Sequence, residues 1–136
     1  MILFVCVENA GRSQMAEAFA KRYGIAASSA GTIPSSKVNP LVVQVMREKD
    51  IDIGQSRPRE LAGEIIDSAD LVVLTDASLE KAIPGNLRKK MKKKVVEWYL
   101  PDPQGKPLNE IRYIRDQIKG MVEGLRREAG LPARPK

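Results

Sequence analysis

The only cysteine of the chain, Cys6, directly follows the apolar run from Ile2 to Val5. A helical pattern begins near Ser13, with apolar residues recurring at the spacing of one helix face at Met15, Ala16, Phe19 and Tyr23. The order is therefore a buried strand, a tight loop and a helix. A strand that leads directly into a helix in this way is typical of the α/β class of folds.

The loop between this strand and this helix has the features of an anion-binding loop. Backbone N–H groups that turn inward bind anions, and the positive end of the following helix assists them. Asn9 and Gly11 tolerate the positive φ that a tightly curled loop needs. We therefore predict an oxyanion-binding site formed by Val7, Glu8, Asn9, Ala10, Gly11, Arg12 and Ser13.

Cys6 is expected at the base of this loop, with its thiol directed at the N-terminus of the helix. A thiol in such surroundings ionises more easily than a free thiol, so Cys6 is the candidate nucleophile. The alternative is a small buried side chain at a strand end, the usual role of a free cysteine. Arg12, placed six residues after Cys6 and followed by Ser13, favours the catalytic interpretation because that pairing is rare by chance.

Histidine is absent and cysteine occurs once, which limits the possible chemistry. A Cys-His dyad, an intramolecular disulfide and a metal site made of thiols are excluded, and we predict neither a metal nor a cofactor. A single free cysteine indicates a reducing compartment. The N-terminal apolar run is too short for a signal peptide, and no apolar stretch approaches about 20 residues, so we expect a cytoplasmic protein without membrane contact.

The formal net charge of +6 suits an anionic substrate or an acidic partner. Much of this charge lies in residues 88–94, where six of the seven residues are Arg or Lys. We call this segment the basic run. Such runs are usually solvated surface. Nucleic-acid binding is disfavoured because the chain has only six aromatic residues and no nucleic-acid-binding motif.

Strands and helices alternate along the chain. The apolar run from Leu71 to Leu74, bounded by Asp70 and by Thr75-Asp76, predicts a strand buried on both faces. Three further strands are predicted over 2–6, 25–30 and 95–98. The predicted helices span 13–23, ending at Gly24; 40–49, capped by Asn39 with Pro40 in the first position; a weaker helical or turn segment at 60–68; a short helix after Ser78; 86–94; and 108 to about 130, before a loose tail from Pro132 to Lys136.

This alternation predicts parallel βαβ units with right-handed crossovers. We expect one domain over residues 1–136, built on a four-stranded parallel sheet of order 2-1-3-4 with helices on both faces. Ligands of such sheets bind beyond the carboxyl ends of the strands, where the strand order reverses. Cys6 ends the first strand and Asp102 follows the fourth, so the two side chains can meet there.

A reaction that expels an alkoxide needs a proton donor opposite the nucleophile, and without histidine this donor must be a carboxyl group or a tyrosine. Asp102 lies between Pro101 and Pro103, which restrict the backbone to an extended turn. Taken alone, this Pro-Asp-Pro segment is more simply explained as a rigid turn. Asp102 is therefore a candidate for the general acid whose assignment depends on further information.

The pattern Cys6-x5-Arg12-Ser13 resembles the signature of the low-molecular-weight protein tyrosine phosphatases and of the arsenate reductases that share their fold. The longer run from Asn9 to Glu17 is more similar to the reductase branch, in which Gln rather than Pro tends to follow the Ser. The resemblance extends over nearly the whole chain through Ala30-Gly31-Thr32, the strand end at 71–76, Trp98 and Asp102-Pro103.

This resemblance implies a role for each matching residue. Arg12 would clamp the oxyanion in bidentate fashion, Ser13 would donate a hydrogen bond to the Cys6 thiolate, Asn9 would hold the loop, and Asp102 would be the general acid. The implied activity is arsenate reduction with an external thiol donor. The alternative is hydrolysis of phosphate monoesters, including phosphotyrosine, through a phosphocysteine intermediate. A non-catalytic module that binds phosphate or nucleic acid is a further alternative.

The chain departs from the family pattern in three features. Glu8 replaces a common glycine and puts a negative charge near the rim, where it could weaken anion binding, select the substrate or simply face solvent. Gln104 replaces an aromatic residue that often lines the slot for phosphotyrosine, a function that Trp98 or Tyr99 could supply instead. The two further cysteines of thioredoxin-coupled arsenate reductases are missing from 74–85, which excludes a self-contained disulfide cascade and requires an external thiol.

Overall fold

The computed structural model describes residues 1–76, 78–92 and 94–128. Four strands and six helices alternate over this part of the chain. The strands are β1 (Ile2–Cys6), β2 (Ala27–Gly31), β3 (Leu71–Leu74) and β4 (Val95–Glu97), and the helices are α1 (Arg12–Arg22), α2 (Pro40–Arg47), α3 (Gly63–Asp67), α4 (Leu79–Ala82), α5 (Gly85–Met91) and α6 (Leu108–Glu128).

The four strands form one parallel sheet of order β2-β1-β3-β4, which confirms the predicted topology. β1 lies in the interior, with Cys6 opposite Gly31 of β2 and Val5 opposite Leu74 of β3. The carboxyl ends of these three strands therefore meet at one edge of the sheet. The reversal of strand order occurs beside β1, so the loop that follows Cys6 begins at this reversal.

Helices cover both faces of the sheet, as predicted, and each face has its own apolar core. Helices α1, α2 and α6 pack against the face that carries Phe4 and Val73. Side chains of α3, α4 and α5 pack against the face that carries Leu3 and Val72. Since β1 and β3 present buried residues to both cores, their continuous apolar sequences are explained by burial on two sides.

Two predicted strands have different bounds in the structure. The second strand begins at Ala27 rather than at Ile25, because the N–H of Ile25 donates to the carbonyl of Ala20 and closes the turn after α1. Gly24 lies in this turn with φ 82°, the left-handed conformation that suits glycine. The fourth strand ends at Glu97 and excludes Trp98, whose buried ring packs against Phe4 at a centroid distance of 5.8 Å.

The helix ends agree in part with the sequence signals. Asn39 accepts a hydrogen bond from the N–H of Leu41 and caps α2, with Pro40 in its first turn, as predicted. α2 ends at Arg47, two residues before its predicted end. Ser78 precedes α4 but does not cap it with its side chain, because its hydroxyl donates to Asp76 instead. The predicted helix end at Gly130 and the tail lie outside the described residues.

An ion-pair cluster joins α2 to α6. Arg112 binds both carboxylate oxygens of Glu48, and the buried Arg115 donates from Nη1 to Glu48 Oε1 (2.7 Å) and to the carbonyl of Val45 (2.9 Å). The hydrogen bonds from Arg112 and then from Arg115 lower the pKa of Glu48 to about 2. The two arginines thus hold the end of α2 against the long C-terminal helix.

Part of the basic run has structural partners. Lys90 pairs with Asp67 at 3.0 Å, and Lys94 donates to the carbonyls of Ile66 and Ala69 at the end of α3. Arg88, Lys89 and Lys92 are exposed, in agreement with the predicted solvated face. None of the helices in the described part of the chain is long and apolar enough to cross a membrane.

Candidate active site

Asn9 is the residue around which the loop between β1 and α1 is built. Its φ of 53° confirms the predicted left-handed conformation, and its side chain is fully buried. Asn9 Oδ1 accepts hydrogen bonds from the N–H of Arg59 (3.0 Å) and from Gln14 Nε2 (3.2 Å), and Asn9 Nδ2 donates to Ser13 Oγ (2.7 Å). Because the Arg59 N–H can only donate, it fixes the orientation of the Asn9 amide.

Cys6 lies under this network and is 3% exposed. Its Sγ accepts a hydrogen bond from the N–H of Asn9 (3.1 Å) and lies 2.8 Å from Ser13 Oγ. Since Asn9 Nδ2 already donates to Ser13 Oγ, the hydroxyl hydrogen of Ser13 is available for a thiolate at Cys6. Two donors thus converge on the sulfur.

The guanidinium of Arg12 is fixed on one side by two acceptors. Arg12 is 4% exposed, and its Nη1 donates to Asp76 Oδ2 (3.2 Å) and to the carbonyl of Leu100 (3.1 Å). Both hydrogen bonds that the described residues make with this guanidinium use Nη1, which leaves Nε and Nη2 for a ligand. A bidentate clamp on an oxyanion needs two such donors.

Asp76 is a site residue whose role the sequence interpretation missed. It follows the carboxyl end of β3, the strand next to β1, and this position was the available signal. The N–H of Ser78 lowers the pKa of Asp76, and the Ser78 hydroxyl and Arg12 act in the same direction against the effect of burial. Asp76 is therefore ionised when it holds Arg12.

The segment 32–39, which we call the flanking segment, runs beside the loop. Four of its N–H groups donate to loop carbonyls: Thr32 to Cys6, Ile33 to Val7, Ser35 to Glu8 and Asn39 to Ala10, over 2.8–3.2 Å. The preceding Gly31 has no room for a side chain, since a Cβ there would lie 2.6 Å from the Val7 carbonyl oxygen. This close approach explains the glycine of Ala30-Gly31-Thr32.

Gly11 does not have the positive φ that we predicted for it in the loop. Its φ is −146°, so it does not occupy the left-handed region that we predicted for it. A Cβ at this position would instead lie 2.8 Å from Cγ of the buried Pro103. Gly11 is needed because Pro103 packs directly against the loop, and this contact brings the neighbouring Asp102 to the site.

A pocket of about 320 Å³ opens above the loop and collects most of the predicted site residues. Its lining includes Cys6, Arg12 and Asp102, together with Val7, Glu8, Ala10 and Gly11. Asn9 and Ser13 do not line it and support the loop from behind, both fully buried. Asp102 is exposed and accepts a hydrogen bond from the N–H of Gln104 (3.0 Å).

The rest of the pocket lining combines polar side chains with the two prolines Pro40 and Pro103. It comes from the flanking segment and from the end of the Pro-Asp-Pro turn, with Ser35, Ser36, Lys37 and Gln104 among its residues. No aromatic residue lines the pocket within the described part of the chain. Trp98 and Tyr99, which we considered as substitutes for the missing aromatic, do not line it: Trp98 is buried against Phe4 and Tyr99 is 75% exposed.

No cluster of three His, Cys, Asp or Glu side chains that could hold a metal ion is found in 1–76, 78–92 and 94–128. The prediction that the site works without a metal or cofactor stays a prediction.

A cysteine and an arginine at opposite ends of one anion-binding loop, placed at the strand-order reversal of a parallel sheet, define the class of cysteine-dependent phosphatases and related oxyanion enzymes. The sequence profile of the low molecular weight phosphotyrosine protein phosphatase family matches residues 1–131. The chain belongs to this family, which confirms the predicted resemblance and the prediction of an enzyme.

Individual relatives include both arsenate reductases and a phosphatase. An arsenate reductase from Staphylococcus aureus (strain Newman) is 36% identical over 133 residues, which are 92% of this chain and 95% of the relative. The solved YwlE arginine phosphatase from Geobacillus stearothermophilus superposes with a TM-score of 0.85 at 26% identity, covering 95% of this chain and 92% of its own. A thioredoxin-dependent arsenate reductase from Corynebacterium glutamicum has a TM-score of 0.75 at 28% identity, covering 93% of this chain and 60% of its own.

Proposed function

We propose that this protein reduces arsenate to arsenite with an external thiol, using Cys6 as the nucleophile. The observation that carries the proposal is the hydrogen-bonded chain from Gln14 through Asn9 and Ser13 to Cys6. Gln14 belongs to the reductase-like run Asn9–Glu17, so a residue typical of that branch takes part in holding the nucleophile. The relatives of about one-third identity that are described as arsenate reductases support the same choice.

In the first step, the Cys6 thiolate attacks arsenic while the loop N–H groups and Arg12 bind the arsenate oxygens. One oxygen leaves as water, and Asp102 supplies its proton. The product is an arsenate ester of the thiol with an S–As bond. Val7, Glu8, Ala10 and Gly11 contribute their backbones to the cradle, and the Glu8 side chain adds a negative charge near it.

The electrons come from outside the chain because Cys6 is its only cysteine. An external thiol attacks Cys6 Sγ, the S–As bond breaks, and its electron pair remains on arsenic, which leaves as arsenite. Cys6 is then part of a mixed disulfide. A second external thiol attacks the external sulfur of that bond, forms a disulfide with it and releases the Cys6 thiolate.

Hydrolysis of phosphate monoesters is the second candidate, and the presence of Asp102 in the pocket lining favours it. A proton donor facing the nucleophile protonates the leaving alkoxide and then activates water against a phosphocysteine. This cycle needs no second thiol. Because no aromatic side chain of the described residues lines the pocket, phosphotyrosine is a poorer fit than an ester with a non-aromatic leaving group.

Assay of both reactions with one enzyme preparation tests the proposal. We expect arsenite formation only when a thiol donor other than thioredoxin alone is added, with phosphate as a competitive inhibitor. Failure to form arsenite with glutathione, cysteine, dithiothreitol or glutaredoxin would reject arsenate reduction, and failure to release phosphate from any aryl or alkyl ester would reject hydrolysis. Cys6→Ser is the control in both assays.

The remaining proposals concern the chain as a whole. We propose that residues 1–136 form one domain, since the matching family profile extends over nearly all of them. A cytoplasmic location is supported by the requirement for a reduced Cys6. Limited proteolysis and thiol titration of freshly isolated protein would test these two points.

A further inference from the structure

The proposed reduction needs a second reactant whose sulfur must reach Cys6, and the pocket wall contains residues that the proposed chemistry does not use. These residues belong mainly to the flanking segment: Ser35, Ser36 and Lys37. The N–H of Ser35, at the start of this stretch, donates to the Glu8 carbonyl. The N–H of Asn39, two residues after Lys37, donates to the Ala10 carbonyl. Their backbone is therefore fixed relative to the loop that holds Cys6.

Lys37 differs from Arg12 in its freedom to bind a ligand charge. Arg12 is buried and held by Asp76, whereas Lys37 is exposed and has no hydrogen-bonding or ion-pair partner among the described residues. These two are the cationic side chains of the pocket lining. If Arg12 and the loop bind the oxyanion, Lys37 remains available for a second negative charge.

The same lining carries charge of the opposite sign and uncharged hydrogen-bonding groups. Glu8 and Asp102 contribute carboxyl groups, Ser35 and Ser36 hydroxyls, and Gln104 an amide. An aromatic reactant finds no ring to stack on here. A reactant with a carboxylate, an ammonium and amide groups finds complementary partners for each of them.

We propose that Lys37 binds the carboxylate of the external thiol, and that this thiol is of the amino-acid or small-peptide type. This inference rests on the proposed function, since it names the class of thiol that completes the same reaction. Lys37 is a residue that selects the thiol and takes no part in bond formation. The thiol attacks Cys6 Sγ while its carboxylate is paired with the Lys37 ammonium and its ammonium faces Glu8 and Asp102.

Thiol–disulfide exchange at Cys6 tests the inference without arsenate. The Cys6 thiolate attacks a symmetric disulfide, forms a mixed disulfide and releases one thiolate, and the protein adduct is followed by mass spectrometry. Three probes differ in charge: oxidised glutathione carries carboxylates, cystamine carries ammonium groups and 2-hydroxyethyl disulfide is neutral. Comparing variant with wild type on the same probe cancels the intrinsic reactivity of each disulfide.

We expect Lys37→Gln to slow the reaction with oxidised glutathione by about three- to tenfold, and Lys37→Glu to slow it further. The neutral probe should react at the wild-type rate, and cystamine should react as fast or faster. Added salt should reduce the difference between wild type and variant for the charged probes. Lys81→Gln, on the exposed surface of α4, is the matched control and should leave all three rates unchanged.

An equal loss with all three probes, or no loss with oxidised glutathione, would overturn the inference. The neutral probe also reports whether the variant is folded with a reactive Cys6. If the charge-selective effect is found but no thiol supports arsenate reduction, the proposed function is wrong and the thiol subsite stands. If arsenate reduction is found without charge selection by Lys37, the subsite is wrong and the proposed function stands.

Discussion

Arg12 and Asp76 are 64 positions apart in the chain, yet Arg12 Nη1 lies 3.2 Å from Asp76 Oδ2. Asp76 follows β3 and Arg12 begins α1, so the pair joins two segments that meet only because β1 and β3 are neighbours. The carboxylate fixes the guanidinium before a ligand arrives. This preorganisation lowers the cost of binding an oxyanion.

Asp76→Ala should weaken the binding of phosphate by about ten- to a hundredfold, because a charge-assisted hydrogen bond to Arg12 is lost. Asp76→Asn should lose less affinity for phosphate than Asp76→Ala, since its side-chain oxygen can still accept a hydrogen bond from Arg12. Calorimetric titration with phosphate measures both affinities. Ser78→Ala is the control, because it removes one partner of Asp76 and leaves the Arg12 pair intact. Wild-type affinity in Asp76→Ala would show that Leu100 alone positions the guanidinium.

Cys6→Ser should abolish turnover and leave the binding of oxyanions largely intact, because the donors are backbone N–H groups and Arg12. Arg12→Ala should damage both properties. Steady-state kinetics and phosphate titration of the two variants provide the comparison. Residual activity of Cys6→Ser above about one-thousandth of wild type would be incompatible with a covalent route.

Asp102→Asn should slow esters with poor leaving groups by about 10² to 10⁴, and activated aryl esters much less, because only a poor leaving group needs the proton. The measurement is kcat/KM over a series of esters with leaving groups of increasing basicity. Gln104→Ala keeps the carboxyl group and serves as the control. Equal losses across the series would assign Asp102 a structural role.

Gly11→Ala should reduce turnover of poor leaving groups by roughly 10- to 100-fold, since its Cβ would displace Pro103 and with it Asp102. Pro103→Ala removes the contacting Cγ. The double variant Gly11→Ala/Pro103→Ala should therefore be more active than Gly11→Ala, and kinetics of the three variants test this. If the second substitution brings no recovery, the damage arises within the loop itself.

The ion pairs of Glu48 with Arg112 and Arg115 should make the free energy of unfolding depend on pH in the acid range. The pKa of Glu48 in the folded state, about 2, lies below the ordinary value of 4.5. The stabilisation that Glu48 contributes is therefore complete above pH 4.5 and is lost as the pH falls towards 2. In urea titrations from pH 6 to pH 2 at low salt, Glu48→Gln should show a shallower loss of stability than wild type. Glu128→Gln, at the exposed end of α6, is the control. Parallel pH profiles for wild type and Glu48→Gln would contradict this assignment.

The sheet order and the position of the loop were predictable because they depend on features that are local in sequence. Apolar runs, helix periodicity and the strand–loop–helix order at Cys6 each involve neighbouring residues. Right-handed crossovers then leave few arrangements for four parallel strands. Asn39 and Pro40 show the same principle on a smaller scale, since a helix start depends on three or four consecutive residues.

The parts that were missed depend on contacts between distant segments. Asp76 was noted only as a polar boundary of β3, and its pairing with Arg12 requires the strands to be assembled first. The reason for glycine at position 11 was wrong for the same cause, because Pro103 comes from the other end of the chain. The clamp of Arg112 and Arg115 on Glu48 also joins residues more than 60 positions apart.

The flanking segment is attached through its backbone to the loop between β1 and α1, and this has a consequence for how the protein can change. Main-chain hydrogen bonds persist when side chains are replaced, so Ile33, Ser35, Ser36 and Lys37 can vary while the geometry around Cys6 is preserved. Asn9 and Ser13 have no such freedom because their side chains form the support of the sulfur. A library restricted to the four variable positions would therefore be an efficient route to new reactant preferences with an unaltered arrangement around Cys6.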